Sequence, residues 1–132
     1  MIFVDTSFWI ALISRNDTQH DEATRLLQQY GNERLITTTQ VRGETWTFLR
    51  RRSGHQVAVA FLDAVGGTSR AEVIFVTEDT EADALRWLRR HDEREYSFVD
   101  ATSFAVMRAL RIHRAFAFDA DFGAAGFDAL RT

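Results

Sequence analysis

The amino-acid sequence predicts an α/β protein with a mainly parallel central sheet. Ile2-Phe3-Val4 and Val73-Ile74-Phe75-Val76 are apolar at consecutive rather than alternate positions, the pattern of strands covered on both faces by helices. Strand-like runs alternate along the chain with segments of helical periodicity, an order that builds parallel sheets through right-handed crossovers.

The first strand stops at Asp5-Thr6-Ser7, ahead of Phe8-Trp9-Ile10-Ala11-Leu12, so a buried strand runs directly into a helix. A second helix follows Asn16-Asp17. Thr18-Gln19-His20-Asp21 has capping-box spacing, Ala23, Leu26, Leu27 and Tyr30 recur at i, i+3, i+4 and i+7, and Gly31 ends the element. Leu35-Ile36-Thr37-Thr38 reads as a short strand, and Thr39 as the N-cap of a helix over residues 40–52 with Glu44 in its second turn. After the Ser53-Gly54 break, Val57, Ala60, Phe61 and Ala64 mark one face of a helix that Gly66-Gly67 closes, so the two helices form a hairpin. Residues 73–76 read as a central strand, and Thr80-Glu81-Ala82-Asp83 as the capping box of a helix reaching about His91. A polar loop over 92–96 leads to Ser97-Phe98-Val99-Asp100 and a helix carrying Phe104, Val106, Met107 and Leu110. Ala115-Phe116-Ala117-Phe118 is a strand ending on Asp119; Asp119-Ala120-Asp121-Phe122-Gly123 is a turn or short helix, and 127–130 a last edge strand.

The 132 residues, 45% hydrophobic and without Pro or low-complexity linkers, read as one domain over 1–132. No apolar run approaches the ~20 residues of a membrane span, and the N-terminus lacks the pattern of a secretory signal. The expectation is a cytoplasmic protein with no membrane partner. Without Cys there is neither a disulfide framework nor a thiolate metal site. All 16 cations are Arg and the net charge is -3, which argues against gripping nucleic acid by overall charge but leaves room for a local basic patch.

Asp5 and Asp119 share one context, each ending an apolar strand before a turn into helix. In open parallel sheets that edge is where ligands gather. Every carboxylate here also has a structural reading. Asp5, Thr6 or Ser7 can cap the first helix. Asp100 lies in a first turn, where amide dipoles favour negative charge, yet Ser97-x-x-Asp100 is also capping-box spacing. Glu44, between Arg42 and Arg50, suits a solvated helix face, and Asp121 a polar turn. The set says more than its members: two carboxylates about 5 Å apart repel by ~3 kcal/mol at an effective dielectric near ~20, so several converging on one sheet edge call for a cation. Mg²⁺ or Mn²⁺ suits oxygen ligands, and His20, His55, His91 and His113 follow no zinc-ligand spacing. Hydrolysis of a phosphodiester is the chemistry that such a site supports best.

Val4-Asp5-Thr6-Ser7, Glu44, Phe98-Val99-Asp100-Ala101-Thr102-Ser103-Phe104-Ala105 and Phe118-Asp119-Ala120-Asp121-Phe122-x-x-x-Gly126-Phe127, in this order and spacing, resemble a PIN-domain protein over the whole chain. More narrowly, the sequence is similar to the VapC toxins, the ribonuclease components of type II VapBC toxin-antitoxin modules. The resemblance implies a three-layer α/β/α sandwich, Mg²⁺- or Mn²⁺-dependent endoribonuclease activity, an RNA substrate, inhibition by a VapB-like antitoxin, and a homodimer. The family's acidic positions fall on Asp5, Glu44, Asp100 and Asp119, with Asp121 as a further member. Asp5, Asp100 and Asp119 are then the metal ligands, Glu44 acts through bound water, and Thr6 and Ser103 are hydroxyls that orient the carboxylates.

RNA would require positive charge at the pocket rim, for which Arg42 and the run Arg50-Arg51-Arg52, on or just after the Glu44 helix, and Arg108, Arg111 and Arg114, beyond Asp100, are the candidates. Three other readings compete. A phospho-acceptor receiver module relies on a Lys that the chain lacks; a PIN-fold nuclease acting on structured DNA is normally larger; a non-catalytic PIN scaffold would not need the intact acidic set.

Overall fold

The computed structural model covers residues 1–132. Five strands, β1 (Ile2–Val4), β2 (Leu35–Thr38), β3 (Ala71–Ile74), β4 (Arg114–Phe116) and β5 (Asp128–Ala129), form one sheet in the order β3-β2-β1-β4-β5, with every neighbouring pair parallel. The helices are α1 (Thr6–Ile13), α2 (His20–Gln29), α3 (Thr39–Arg52), α4 (His55–Gly66), α5 (Glu78–Arg90), α6 (Phe98–Leu110) and α7 (Asp121–Ala124). The α/β class and parallel sheet follow the expectation.

Strand order decides where chemistry can sit. From β1 the chain steps outward to β2 and β3, then returns past β1 to β4 and β5. The winding direction therefore reverses between β1 and β4, and a crevice opens there at the carboxyl ends of the strands. With right-handed crossovers the same reversal puts α1 to α4 on one face and α5 to α7 on the other. Packing agrees: α1 lies against α2, α3 and α4, and α6 against α5 and α7, while α3 also reaches α6. The order differs from the 2-1-3-4-5 of flavodoxin-like folds, which removes the receiver reading.

The core centres on β1, whose Ile2, Phe3 and Val4 are fully buried. Phe8 of α1 stacks on Phe116 of β4 with ring centroids 4.5 Å apart, Phe122 of α7 lies 6.1 Å from Phe3, and Phe104 of α6 lies 4.9 Å from Phe122. Each such ring contributes about 1.5–3 kcal/mol by leaving water. Together they seat α1, α6 and α7, the three helices whose N-terminal ends carry the candidate site, against one rigid sheet.

Several local expectations are corrected. The run at 73–76 is not a central strand: β3 covers Ala71–Ile74 at the sheet edge, and Phe75, at 74% exposed, lies beyond it. Consecutive apolar residues specify cover, but strand order comes from long-range packing. Thr38 rather than Thr39 caps α3, accepting from Val41 N at 3.1 Å. Thr77 caps α5 a turn earlier than expected, accepting from Thr80 N at 3.2 Å. Gln19 occupies the N-cap of α2 without a side-chain bond, and Asp17 instead accepts from Gln19 N at 2.8 Å. On α4 the buried residues are Ala58, Phe61 and Val65, and Ala60 and Ala64 face solvent.

Candidate active site

Asp5 follows β1 directly, and its backbone N donates to Phe116 O at 3.0 Å, holding it beside β4. It is also the N-cap of α1: Oδ2 accepts from Ser7 N at 3.3 Å and from Ser7 Oγ at 2.8 Å. Asp100 closes the expected capping box on α6, its N donating to Ser97 Oγ at 2.9 Å and its Oδ2 accepting from Ser97 N at 3.0 Å. β4 ends at Phe116, short of the expected 115–118, so Asp119 lies three residues past the strand rather than at its end, and its Oδ1 accepts from Asp121 N at 3.0 Å. One carboxylate oxygen from each of Asp5, Asp100 and Asp119 falls within 4.8 Å of the others. Capping and convergence are therefore not alternatives. In each aspartate one oxygen serves the local turn, and the second has no N–H or hydroxyl donor.

The electrostatics of the cluster are unfavourable without a cation. Burial lifts the Asp5 carboxyl well above its ordinary range, the charge of Asp119 lifts it further, and the Ser7 bonds offset part of this. Asp100 is pushed up to about 6, chiefly by burial, with the charges of Asp119 and Asp121 adding to it against the Ser97 N–H. None of the three forms an ion pair. A set of converging carboxylate oxygens with no nitrogen or sulfur donor fits a hard divalent ion.

The remaining predicted residues are distributed as follows. Glu44 is exposed on α3 and lies outside the 4.8 Å group, but the Thr6 hydroxyl donates to its Oε1 at 2.6 Å, tying it to the residue after Asp5. Asp121 opens α7 and accepts both Nε and Nη2 of Arg94 on Oδ1, at 3.0 and 2.9 Å. The Ser103 hydroxyl donates to Val99 O at 2.8 Å within its own helix, so it makes no bond to a carboxylate; a buried helical serine satisfies itself on the preceding turn. Arg42 is half-buried and Arg50 exposed, whereas Arg51 lines a groove of about 670 Å³ that also includes Glu44, Thr47, Phe48, Arg52 and Val99.

Two residues escaped the sequence reading. Ser7 figures in the sequence as a possible cap and as part of the Val4-Asp5-Thr6-Ser7 motif, without a role of its own in the site, yet its hydroxyl bridges Asp5 to the Phe118 backbone N, at 2.8 and 2.9 Å; a hydroxyl two positions after a strand-end Asp is the signal that points to it. Arg94 sits in the polar loop between α5 and α6, where nothing local marks it, since its partner lies 27 positions away.

Comparison with known proteins accords with this geometry. The PIN domain family matches residues 2–128. The 23S rRNA-specific endonuclease VapC20 of Mycobacterium tuberculosis, in strains CDC 1551 / Oshkosh and ATCC 25618 / H37Rv, is 54% identical over 131 residues, covering 99% of this chain and 98% of the relative. The crystal structure of Mycobacterium tuberculosis VapC20, a Sarcin-Ricin loop cleaving toxin, superposes with a TM-score of 0.95 at 52% identity, covering 100% of both chains. The chain belongs to the PIN-domain family and, within it, to the VapC group of endoribonuclease toxins. Nucleases of the PIN family use divalent metals, and the acidic cluster suits one.

Proposed function

We propose that the chain is the toxin of a type II toxin-antitoxin pair, a single cytoplasmic nuclease domain that hydrolyses ribosomal RNA with Mg²⁺ or Mn²⁺ and is restrained by a VapB-like antitoxin. A homodimer is part of the proposal. What carries it is the convergence of Asp5, Asp100 and Asp119 within 4.8 Å at the reversal point of the sheet. The RNA substrate and antitoxin are supported by a relative 54% identical that is a 23S rRNA-specific endonuclease.

In this reading Asp5, Asp100 and Asp119 would hold the ion through one oxygen each, and Glu44 and Asp121 would complete the acidic wall. A bound divalent ion supplies Lewis acidity, activating water and neutralising charge at the phosphate and the leaving oxygen. The chain's own part is to hold the carboxylates in position beforehand. Ser7 holds Asp5, the Ser97 N–H holds Asp100, the Asp121 N–H holds Asp119, and Thr6 holds Glu44. Arg94 offsets the charge of Asp121 at the rim.

The test is cleavage of ribosomal RNA and of an isolated stem-loop in Mg²⁺ and in EDTA. The expected result is metal-dependent cutting that leaves 5′-phosphate and 3′-hydroxyl ends, because water rather than the 2′-hydroxyl attacks phosphorus. Cutting that persists in EDTA with 2′,3′-cyclic phosphate products would overturn it.

A further inference from the structure

Phe48 has no part in the acidic cluster, yet it stands on the way out of it. Gln40, Glu44, Phe48 and Arg52 recur every four residues on α3 and share one stripe of its surface. At 1.5 Å per residue the stripe carries Phe48 about 6 Å and Arg52 about 12 Å along the axis from Glu44. Phe48 is 38% exposed, with the Arg52 guanidinium carbon 5.7 Å from its ring centroid. Phe48 also borders three hollows: one with Glu44 and Val99, one with Ile10 and Arg52, and one with Ser7, Phe118 and Asp119. One of these includes Asp119 of the acidic cluster, another includes Glu44, which Thr6 ties to the residue beside Asp5, and both are bordered by this ring.

The lining says what would occupy the largest hollow. Of its nine residues only Phe48 and Val99 are hydrophobic, and Arg51 and Arg52 flank the ring. An apolar peptide helix would leave the Arg51 and Arg52 guanidinium groups and Glu44 without partners there. A strand of RNA would find an aromatic face, two guanidinium groups for phosphates, and a length of about 12 Å, three to four stacked nucleotides at ~3.4 Å each. The local positive charge is complementary to that strand in a chain whose net charge is -3.

We propose that Phe48 is a base-stacking platform: an unpaired nucleotide beside the scissile phosphate leaves its neighbours and stacks on this ring, while Arg51 and Arg52 hold adjacent phosphates. The inference rests on the endoribonuclease reading and adds to it the residue that receives a base splayed out of a looped or single-stranded RNA.

The experiment uses the full chain with an RNA stem-loop in Mg²⁺, comparing Phe48→Ala, Phe48→Leu and Phe48→Trp with the parent. Loss of one stacked base is expected to raise KM about 5- to 150-fold in Phe48→Ala, with kcat within about twofold and the Mg²⁺-induced rise in melting temperature unchanged. Phe48→Trp should restore KM. Phe48→Leu keeps an apolar side chain of similar size but has no π face, and should not restore it. Parental KM in Phe48→Ala, or full rescue by Phe48→Leu, overturns the proposal and leaves Phe48 as apolar surface for a protein partner. A parent that cuts no RNA with any divalent ion overturns the endoribonuclease reading itself, an outcome distinct from a parent that cuts and a Phe48→Ala variant that matches it.

Discussion

The Ser7 hydroxyl donates to Oδ2 of Asp5 at 2.8 Å while accepting from the Phe118 backbone N at 2.9 Å. One small side chain thus fixes the carboxylate at the end of β1 to the segment that carries Asp119 out of β4. These are the two acidic groups with most reason to move apart, because the charge of Asp119 acts directly on the buried Asp5.

Ser7→Ala should therefore affect both stability and metal response. The Phe118 N–H loses its acceptor and Asp5 loses a donor, a cost of about 1–2 kcal/mol in denaturant unfolding without metal. Outer-sphere groups that orient metal ligands are typically worth about 10- to 100-fold in affinity or activity, so the Mg²⁺ concentration for half-maximal RNA cleavage should rise by at least about tenfold. A parental Mg²⁺ midpoint would show that the bridge serves the fold alone.

Asp5→Asn separates cap from cluster by the sign of a stability change. Asn caps about as well as Asp and can still accept from Ser7, so the helix start survives while one charge leaves a crowded group. In EDTA the variant should match or exceed the parent by ~1–3 kcal/mol. Activity should collapse, and excess Mg²⁺ should raise the variant's melting temperature much less than the parent's. Thermal unfolding with EDTA and with Mg²⁺ reads both. A variant clearly destabilised in EDTA, or one that still cuts RNA at near-parental rate, would mean that Asp5 is structural.

The pH dependence of the metal-free protein should run opposite to that of an ion-paired carboxylate. Asp100 is raised to about 6 in the folded state from an ordinary 3.8, so between these values the folded chain binds more protons than the unfolded one. Stability is then fullest below pH ~4 and falls as pH rises towards ~6, by at most about 3 kcal/mol from this group and by less to the extent that solvent screens it, and Asp5 shifts in the same direction. Other titrations will overlay the profile, so the measurement is the difference between parent and Asp100→Asn in denaturant melts from pH 4 to pH 8 in EDTA. A difference that is flat with pH would remove the buried-charge account. With saturating Mg²⁺ the fall should shrink, because the ion favours the ionised carboxylates.

Short-range relations were legible in the sequence. The alternation of strands and helices, Asp5 at the end of the first strand, and the Ser97-Asp100 capping box all depend on residues within a few positions of one another, where periodicity and local hydrogen bonding decide. Convergence of several carboxylates on one sheet edge follows from reading Asp5 and Asp119 in the same context, but their assignment as one metal site with Asp100 comes from resemblance to a family, since nothing local says that the three meet. What the tertiary structure decided is long-range. It placed β3 at the sheet edge, paired Thr6 with Glu44 across 38 positions and Arg94 with Asp121 across 27, and turned the Ser103 hydroxyl to Val99 instead of a carboxylate. The physical reason is that a side chain's reach is set by which strands lie side by side, and that order follows from burying Phe3, Phe8, Phe116 and Phe122 in one core, an outcome of the whole chain rather than of any stretch within it.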